Sequence, residues 1–382
     1  MRVAMIGNYP VQRDIVPGGV TAVAATLARG LARLPDVEIH VVCCQPDVER
    51  DHDEVRDGVT IHFLRHSGRA TQVSNWREQR ASIAGVMEKL QPDLAHAQGL
   101  GLATAAAIDA QRPFAVSLHG ILWKEAAMTH PSIVKRLRGK VRARRALRQL
   151  LRTHNVFITS KYAARMLPAE GNFRQFVVNN PAPDEVFAIR NQPVSPHVLV
   201  VGGLRHRKDP MTALRAFART LQAVPNATMH FVGPPSNTPF DQEVANEIRR
   251  LWLEPKVKIL GLVPDSTLRA EYAKASVLLM TSIEETAPVA IGEACAAGVP
   301  QVGTDAGGIP DLIRDGETGF VRPIGDVEGL AERLITVLQD RNLRDRLALR
   351  AKEVGRAEFS LDAIARKTVD AYREILQQDS AV

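Results

Sequence analysis

The stretch Ser276–Pro300 has the sequence SVLLMTSIEETAPVAIGEACAAGVP, a strand pattern followed at once by a helix pattern. The opening run SVLLM is short and apolar, as in strands that are buried on both faces of a parallel sheet. Pro288 suits the first turn of a helix, because the N–H that proline lacks would have no partner there. The helix is predicted to continue through Ala290–Ala297 and to end at Gly298. A buried strand that leads into a short helix is the repeating unit of doubly wound α/β sheets.

The same alternation of strand and helix patterns extends along the chain in both directions. After Gly19, for example, apolar residues recur with the 3.6-residue period of a helix. The segment Ala188–Pro196 contains two prolines and no apolar spacing, and it is predicted to be a linker. We therefore predict an α/β protein with two doubly wound, Rossmann-like parallel-sheet domains facing a central cleft. They are expected over residues 1–188 and 197–360, with a C-terminal helix over 361–378 crossing back onto the first domain.

The composition is that of a globular chain with aliphatic cores and excess positive charge. The 382 residues suit two domains, and 45% are hydrophobic although only 5% are aromatic. The net charge of +7 favours an anionic partner without identifying it. No apolar run approaches the roughly 18 residues of a membrane helix, and Met1-Arg2 leads directly into a strand pattern without a signal peptide. Adjacent Cys43 and Cys44 argue against a disulfide framework, so a cytoplasmic location is expected.

Two glutamates in the opening stretch could contact a ligand that lies along the helix. Glu285 is expected at the start of the helix and Glu293 further along it. Eight helical residues rise about 12 Å, a span comparable with a sugar, a diphosphate and a ribose in line. Carboxylates can accept hydrogen bonds from hydroxyls, and backbone N–H groups within Thr286–Val289 can bind phosphate oxygens. The alternative is an acidic residue that complements the helix dipole and an ordinary solvated glutamate.

Together with its flanks, this stretch resembles the family 4 glycosyltransferases, a retaining group with the GT-B fold. The family signature Glu-x7-Glu corresponds to Glu285 and Glu293, and the similarity continues through Gly307-Gly308-Ile309-Pro310 to Thr318-Gly319. The resemblance implies a UDP- or GDP-sugar donor and an acceptor hydroxyl, on a glycan or a lipid-linked molecule. It also implies that Glu285 contacts the transferred sugar and that Glu293 holds the ribose.

A second segment, Val198–Pro210, resembles the family turn that carries an arginine and then a lysine for the diphosphate. Lys208 matches the lysine, but Gly203 stands at the arginine position. Arg205 or Arg207 could replace the missing guanidinium, since diphosphate recognition depends on positive donors more than on one backbone position. The alternative is that both arginines are solvated loop charges.

The N-terminal half resembles the family more loosely. Gly18 and Gly19 precede a helix, where the backbone can approach an anion closely, and the resemblance implies a loop over the donor diphosphate. A glycine pair before a helix is, however, more often only a turn. His119 ends a strand pattern, and the resemblance implies that it contacts the sugar or helps to position the reacting centre. A structural histidine is the alternative.

The predicted site therefore draws on both halves of the chain. The predicted catalytic residues are His119, Glu285 and Lys208, and the predicted donor-binding residues are Gly18, Gly19, Arg205, Arg207, Lys208, Glu285, Thr286, Ala287, Pro288, Val289 and Glu293. Asp51-His52-Asp53 has the D-x-D pattern that binds metal in other glycosyltransferases, but its highly charged surroundings predict a solvated loop. No metal ligand and no cofactor are predicted, and the nucleotide sugar is the co-substrate.

A strongly basic segment spans residues 126–169, with eleven Lys and Arg and no Asp or Glu. Within it, Lys135–Arg152 shows a partial apolar stripe at helical spacing, which is typical of helices that bind a membrane surface or another polyanion. A solvated outer helix is the alternative. Nucleic acid is excluded as the expected partner because no aromatic residues are interleaved with the charges. We expect contact with an anionic membrane, which would make the protein peripheral at its inner face.

Two other functions on the same architecture stay open. A nucleotide-sugar epimerase would consume the donor without an acceptor and release no glycosylated product. A non-catalytic nucleotide-sugar binding protein would show no turnover, and the glycine at position 203 is the feature that favours it.

Overall fold

The computed structural model describes residues 1–16, 18–66, 75–127 and 133–379. The chain divides into two compact units, and the first comprises residues 1–13 and 18–180 together with the segment from Leu361. The second comprises residues 181–360 and a short segment that begins at Asp14.

The boundary after Asn180 differs from the predicted linker Ala188–Pro196, which belongs to the second unit. Asn191 supplies the physical reason. Its side-chain amide donates to the backbone oxygens of Tyr272 and Ala275, at 2.8 Å in both cases. These hydrogen bonds anchor the segment, although its sequence lacks apolar spacing.

The first unit is built on one large sheet. Its strands are β1 (Arg2–Ile6), β2 (Glu38–Gln45), β3 (His52–Arg56), β4 (Val59–Arg65), β5 (Leu94–Gln98), β6 (Phe114–Leu118), β7 (Asn155–Ile158) and β8 (Arg174–Val177). Its helices up to residue 180 are α1 (Gly19–Ala32), α2 (Arg77–Leu90), α3 (Leu102–Asp109), α4 (Leu122–Ala127), α5 (Ile133–Leu150) and α6 (Lys161–Arg165). The eight strands lie in the order β3-β4-β2-β1-β5-β6-β7-β8. Along β1, Val3 and Met5 enter one hydrophobic cluster and Ala4 and Ile6 another, so both faces are buried.

Strand β3 corrects the prediction of a loop at Asp51-His52-Asp53. Residues from His52 onwards pair with β4 in an antiparallel hairpin, in a sheet whose other strand pairs are parallel. Asp57 and Gly58 form its two-residue turn with φ of 52° and 79°, as tight hairpins favour. Across the pair, Asp53 Oδ1 lies 2.8 Å from His62 Nδ1. The Asp-Gly turn was the sequence signal for this hairpin.

The second unit is built on a smaller sheet. Its strands are β9 (His197–Val201), β10 (Thr228–Val232), β11 (Val257–Gly261), β12 (Val277–Met280), β13 (Gln301–Thr304) and β14 (Gly319–Arg322). Its helices are α7 (Asp184–Phe187), α8 (Pro210–Ala223), α9 (Pro239–Arg250), α10 (Asp265–Lys274), α11 (Val289–Ala297), α12 (Ile309–Leu312), α13 (Val327–Gln339) and α14 (Arg341–Glu358). The six strands are all parallel, in the order β11-β10-β9-β12-β13-β14. The predicted class, two doubly wound α/β domains, is confirmed.

The last helix, α15 (Leu361–Asp379), packs into the first unit. Ile364, Tyr372 and Ile375 are buried in the same cluster as α1 and β1. Gly30 on α1 permits the close approach, since a Cβ there would lie 2.5 Å from Leu361 Cδ1. The C-terminal helix predicted from the sequence therefore belongs to the first unit.

Candidate active site

The turn after β9 carries Lys208 over a glycine. A Cβ at Gly202 would lie 3.0 Å from Lys208 Cε, so the lysine chain packs directly over this glycine. Asp209 then caps α8, and its carboxylate accepts from the Thr212 backbone N–H at 3.2 Å and from the Thr212 hydroxyl at 2.6 Å. The capped helix holds the lysine at the carboxyl end of β9, where parallel sheets bind ligands.

Gly203 has a packing reason to lack a side chain. A Cβ at this position would lie 3.1 Å from Pro234 O and 3.3 Å from Pro234 Cγ. The backbone is held there because Leu204 N donates to Pro234 O at 3.0 Å. A side chain at Gly203 would therefore require Pro234 to shift by a few tenths of an ångström.

Glu285 lies between two cations. Its Oε1 is 2.5 Å from Lys208 Nζ, and its Oε2 is 3.0 Å from Arg207 Nη1. Ser282 Oγ donates to the Oε1 atom at 3.0 Å, and Arg207 also donates to the backbone oxygen of Glu284 at 2.7 Å. Of the two candidate arginines, Arg207 therefore lies in the cluster, whereas Arg205 is exposed.

The charge state of Glu285 follows from these neighbours. Its side chain is 7% exposed, and burial alone acts to raise the pKa of its carboxyl group. The positive charges of Lys208 and Arg207 and the hydrogen bonds from Lys208 and Ser282 outweigh burial, so the pKa lies below its ordinary value. The site thus holds a buried, ionised carboxylate beside two cations.

The glycine loop that follows β13 closes onto the backbone of Glu285. Gly308 N donates to Glu285 O at 2.8 Å. Gly307 has a φ of 54°, and a Cβ there would lie 2.0 Å from the same oxygen. Thr304 Oγ1 also donates to Ser282 O, at 2.5 Å. These contacts fix the backbone around Glu285. They come from residues that follow Glu285 in the chain, whereas its two cations come from residues that precede it.

The residues from Thr286 to Pro288 form the turn into α11, and the helix begins at Val289. Pro288 is therefore the residue that caps the helix, one position earlier than the first-turn placement predicted from sequence. Its extended conformation, with φ of −67° and ψ of 122°, suits proline equally well. Ala287, in the same turn, is partly exposed.

Glu293 lies on α11 and is bound by a tyrosine. Tyr272 donates its hydroxyl to Glu293 Oε2 at 2.8 Å, and both residues are buried. Burial raises the pKa of Glu293 to about 7, against the opposing effect of the Tyr272 hydrogen bond and with a smaller contribution from Asp265. The second carboxyl group of the signature therefore differs from the first, because no cation offsets its burial.

The substitution Glu293→Gln is expected to remove a pH dependence from stability. Because the folded pKa of about 7 exceeds the ordinary 4.5, the folded protein holds this proton more tightly than the unfolded chain does. The resulting stability is complete below about pH 4.5 and is lost as the pH rises through about 7. Between about pH 5 and pH 8, the free energy of unfolding of the wild type should fall by about 2–3 kcal/mol relative to that of the variant, as measured by denaturant unfolding.

Glu254→Gln is the control for this prediction, because Glu254 is exposed on the same unit. It should follow the wild type over the whole pH range. A constant difference in stability between wild type and Glu293→Gln would contradict the raised pKa.

The remaining predicted residues lie in the first unit. Gly18 precedes α1 with a φ of 153°, accepts from Ala22 N at 3.0 Å, and is exposed, while Gly19 is the first residue of α1. His119 follows β6, and its Nε2 donates to Gln98 Oε1 at 2.9 Å. Burial lowers the pKa of His119 to about 4, so the ring is neutral at about pH 7. Gln98, which holds this ring, was not singled out from the sequence.

The shape of the second unit supports the same location. A small pocket is lined by the ends of β9 and β12, by Gly202 and Gly203, and by Lys208 and Ser282. A larger hollow of about 490 Å³ lies between α8 and α9. Its carboxylate Glu247 is already paired with Arg215 and Arg250, at 2.8 and 2.7 Å. We therefore place the candidate active site at the smaller pocket, where the strands end.

Helix α5 presents the basic surface that the sequence predicts. We define the basic helix face as the exposed residues Arg136, Leu137, Arg138, Lys140, Val141, Arg142 and Arg144. Leu137 and Val141 are 63% and 50% exposed, although both are apolar. Ala143, Ala146 and Leu150 are buried on the other side of the helix. Within residues 1–16, 18–66, 75–127 and 133–379, no helix has the length and apolar character required to cross a membrane.

Two family models match the chain in succession. The model described as Glycosyltransferase Family 4 matches residues 17–185, and the model described as Glycosyl transferases group 1 matches residues 184–354. N-acetyl-alpha-D-glucosaminyl L-malate synthase of Bacillus anthracis is 28% identical over 179 residues, which are 47% of this chain and 45% of that protein. D-inositol 3-phosphate glycosyltransferase of Corynebacterium diphtheriae is 32% identical over 184 residues, 47% and 43% of the two chains. The match thus spans less than half the length of either relative.

Solved structures resemble the chain over its whole length. Sucrose-phosphate synthase from Thermosynechococcus elongatus has a TM-score of 0.80 at 20% identity and covers 99% of both chains. HepE from Anabaena, solved in complex with UDP-glucose, has a TM-score of 0.74 at 20% identity and covers 100% of both. At this identity the likeness shows the fold, which is GT-B. The chain belongs to family 4 of the glycosyltransferases, because the two family models together match residues 17–354.

Proposed function

We propose that the protein is a retaining glycosyltransferase that transfers a sugar from a UDP- or GDP-type donor to an acceptor hydroxyl. The observation that carries the proposal is the buried Glu285 paired with Lys208 and Arg207 at the carboxyl ends of parallel strands. A diphosphate needs two or more positive donors, and a sugar needs a fixed acceptor of hydroxyl hydrogens. This cluster offers both. The positive donors lie in the turn after β9, and the hydroxyl acceptor lies in the turn before α11.

The proposed reaction breaks the bond between the anomeric carbon and the diphosphate oxygen, and the acceptor oxygen forms the new bond on the same face. The acceptor proton passes to the departing diphosphate. Lys208 and Arg207 stabilise the negative charge that develops on the leaving group. Glu285 orients the sugar, and Glu293 accepts from the ribose hydroxyls. When the donor binds, its diphosphate takes over the cations that Glu285 holds, which frees that carboxylate for the sugar.

The non-catalytic alternative loses its main support, which was the glycine at position 203. A non-catalytic binding protein was favoured by the missing arginine. However, Arg207, four residues after Gly203, places its guanidinium next to Glu285. The packing of Gly203 against Pro234 gives this glycine a structural reason. An epimerase would release an altered nucleotide sugar without needing an acceptor, and product analysis separates it from a transferase.

We further propose that transfer needs no metal ion, since the two cations serve the leaving diphosphate. The test is a saturation-transfer NMR titration of the protein with a panel of nucleotide sugars in the presence of EDTA, followed by product analysis with candidate acceptors. Binding of one donor through its base, ribose and sugar is expected. If no nucleotide sugar binds, the proposed function is wrong.

Replacing each signature glutamate should affect a different step. Glu293→Ala is expected to weaken donor binding, because it removes an acceptor for the ribose in ground and transition states alike. Glu285→Ala is expected to lower kcat at saturating donor by roughly 10- to 100-fold, the effect of a lost charged hydrogen bond. Steady-state kinetics with varied donor separates the two. Near-wild-type turnover in Glu285→Ala would refute its assignment.

We also propose that the basic helix face binds anionic membranes and brings the protein to lipid-linked acceptors. Each Lys or Arg near an anionic surface contributes about 1 kcal/mol, so the triple change Arg136→Gln, Arg138→Gln and Arg142→Gln should reduce binding to phosphatidylserine vesicles on the order of 100-fold. Vesicle sedimentation measures the partitioning.

The matched control changes the exposed Arg341, Arg346 and Arg356 of α14 to glutamine, which removes the same charge from the second unit. It should leave vesicle binding near the wild-type level. Equal losses in both triple variants would mean that net charge, and not this helix, controls the interaction.

A further inference from the structure

A cluster of two histidines and a glutamate lies in the second unit on elements that the proposed reaction does not use. His197 is the first residue of β9, and His230 lies on the neighbouring strand β10. The register pairs His197 with Thr228, two residues before His230, so both rings are on the same face of the sheet. Glu271 reaches this face from α10. By contrast, Lys208 follows the opposite, carboxyl end of β9.

The three side chains aim their donor atoms at one another. His197 Nε2 lies 3.2 Å and His230 Nδ1 lies 2.9 Å from Glu271 Oε2. One ring nitrogen from each histidine and a glutamate oxygen lie within 4.8 Å of one another. Ligand atoms of a tetrahedral zinc site, with bonds of about 2.0–2.1 Å, are about 3.3 Å apart. The two distances to Glu271 Oε2, 3.2 and 2.9 Å, are close to this spacing.

The surrounding contacts resemble those that orient metal ligands. The second ring nitrogen of His197, Nδ1, is 2.9 Å from Thr228 Oγ1, which fixes the ring so that Nε2 faces the cluster. Lys274 Nζ is 2.8 Å from the other glutamate oxygen, Oε1, and leaves Oε2 directed at the rings. The lysine is 44% exposed and can turn away into solvent when a cation enters.

The burial of the cluster suits a site with one open position. The side chains of His197 and Glu271 are 3% and 5% exposed, whereas His230 is 13% exposed and gives access from its side. Three protein ligands leave a fourth position for water. Two imidazoles and one carboxylate are ligands that suit zinc. They suit magnesium and calcium less well, because those ions favour oxygen ligands alone.

We propose that His197, His230 and Glu271 bind a zinc ion that links β9, β10 and α10. The site is separate from the proposed sugar-transfer residues. Its role is to crosslink the two strands and the helix of the second unit, in place of the hydrogen bonds that the histidines donate to Glu271.

The test uses the full chain, stripped with EDTA and desalted, then equilibrated with zinc and measured by dialysis and metal analysis. We expect one zinc per chain and a rise in thermal midpoint on zinc addition. His230→Ala and Glu271→Gln should each weaken binding on the order of 100-fold and abolish the thermal shift. Glu271→Gln keeps the shape of the side chain, so it serves if the alanine variant folds poorly.

Two further variants make the result specific. His154→Ala, in the first unit, removes an exposed histidine whose ring bonds the Asn172 backbone oxygen, and should bind zinc as wild type does. Lys274→Gln should bind zinc several-fold more tightly, because it removes a competing positive charge from Glu271. Cobalt should give the intense visible absorption of a tetrahedral ion in wild type and lose it in His230→Ala.

Zinc binding by wild type that does not exceed that of His230→Ala and Glu271→Gln would overturn the proposal. The cluster would then be a hydrogen-bonded trio only. None of these readouts involves sugar transfer, so this result is distinguishable from failure of the proposed function.

Discussion

Replacing Lys208 by alanine is expected to reduce kcat for sugar transfer by roughly 10²–10³-fold, the usual effect of removing one preorganised charge at a leaving group. The lysine packs over Gly202 at the carboxyl end of β9, where the diphosphate is proposed to bind. Because the negative charge on the leaving diphosphate develops mainly in the transition state, kcat should fall more than donor affinity. Steady-state kinetics at saturating donor gives the measurement.

The neighbouring arginines provide the controls. Arg207→Ala should lower kcat as well, since its guanidinium lies 3.0 Å from Glu285, whereas the exposed Arg205→Ala should stay near wild type. This pair also decides which arginine replaces the one missing at Gly203. An unchanged kcat with a raised KM in Lys208→Ala would show that the lysine binds the donor without stabilising the leaving group.

Gly307→Ala is expected to destabilise the protein by about 2–5 kcal/mol, from a left-handed backbone conformation and an overpacked contact. The new Cβ would lie 2.0 Å from Glu285 O, and the φ of 54° disfavours any residue with a side chain. Relief of the clash must move either the loop or the glutamate. We therefore expect activity to fall together with the free energy of unfolding, measured in guanidinium.

Gly316→Ala is the matched control for this change. Its φ of 76° is also left-handed, but nothing lies within 4 Å of the new Cβ. It should cost only about 1–2 kcal/mol and leave activity intact. Equal destabilisation of the two variants would show that the contact with Glu285 contributes nothing.

The fold was predictable in the places where local patterns carry it. The apolar run of β12 and the helical spacing after Gly19 depend on neighbours in sequence, and both elements form where they were predicted. The hairpin of β3 was missed because its charged residues suggested a loop, although Asp57-Gly58 indicated the turn. The second unit begins before the predicted linker because Asn191 bonds the distant backbone of Tyr272 and Ala275.

The candidate site, like the fold, was only partly predictable from the sequence. The spacing of Glu285 and Glu293 and the position of Lys208 could be taken from the sequence, because each lies at a fixed offset from a strand or helix end. The sequence offered Arg205 and Arg207 equally and could not choose between them. Nor could it indicate that Tyr272 binds Glu293 or that Gln98 holds His119.

By itself, the sequence determined the alternation of strands and helices, the two-domain class and the family, since these depend on periodicities and residue spacings within short segments. Only the tertiary structure decided that Arg207 pairs with Glu285, that one signature carboxyl group has a lowered pKa and the other a raised one, and that two histidines meet Glu271. The physical reason is that burial and charge pairing arise between segments far apart in the chain. The free energy of ionising a side chain depends on those spatial neighbours more than on its position in the sequence.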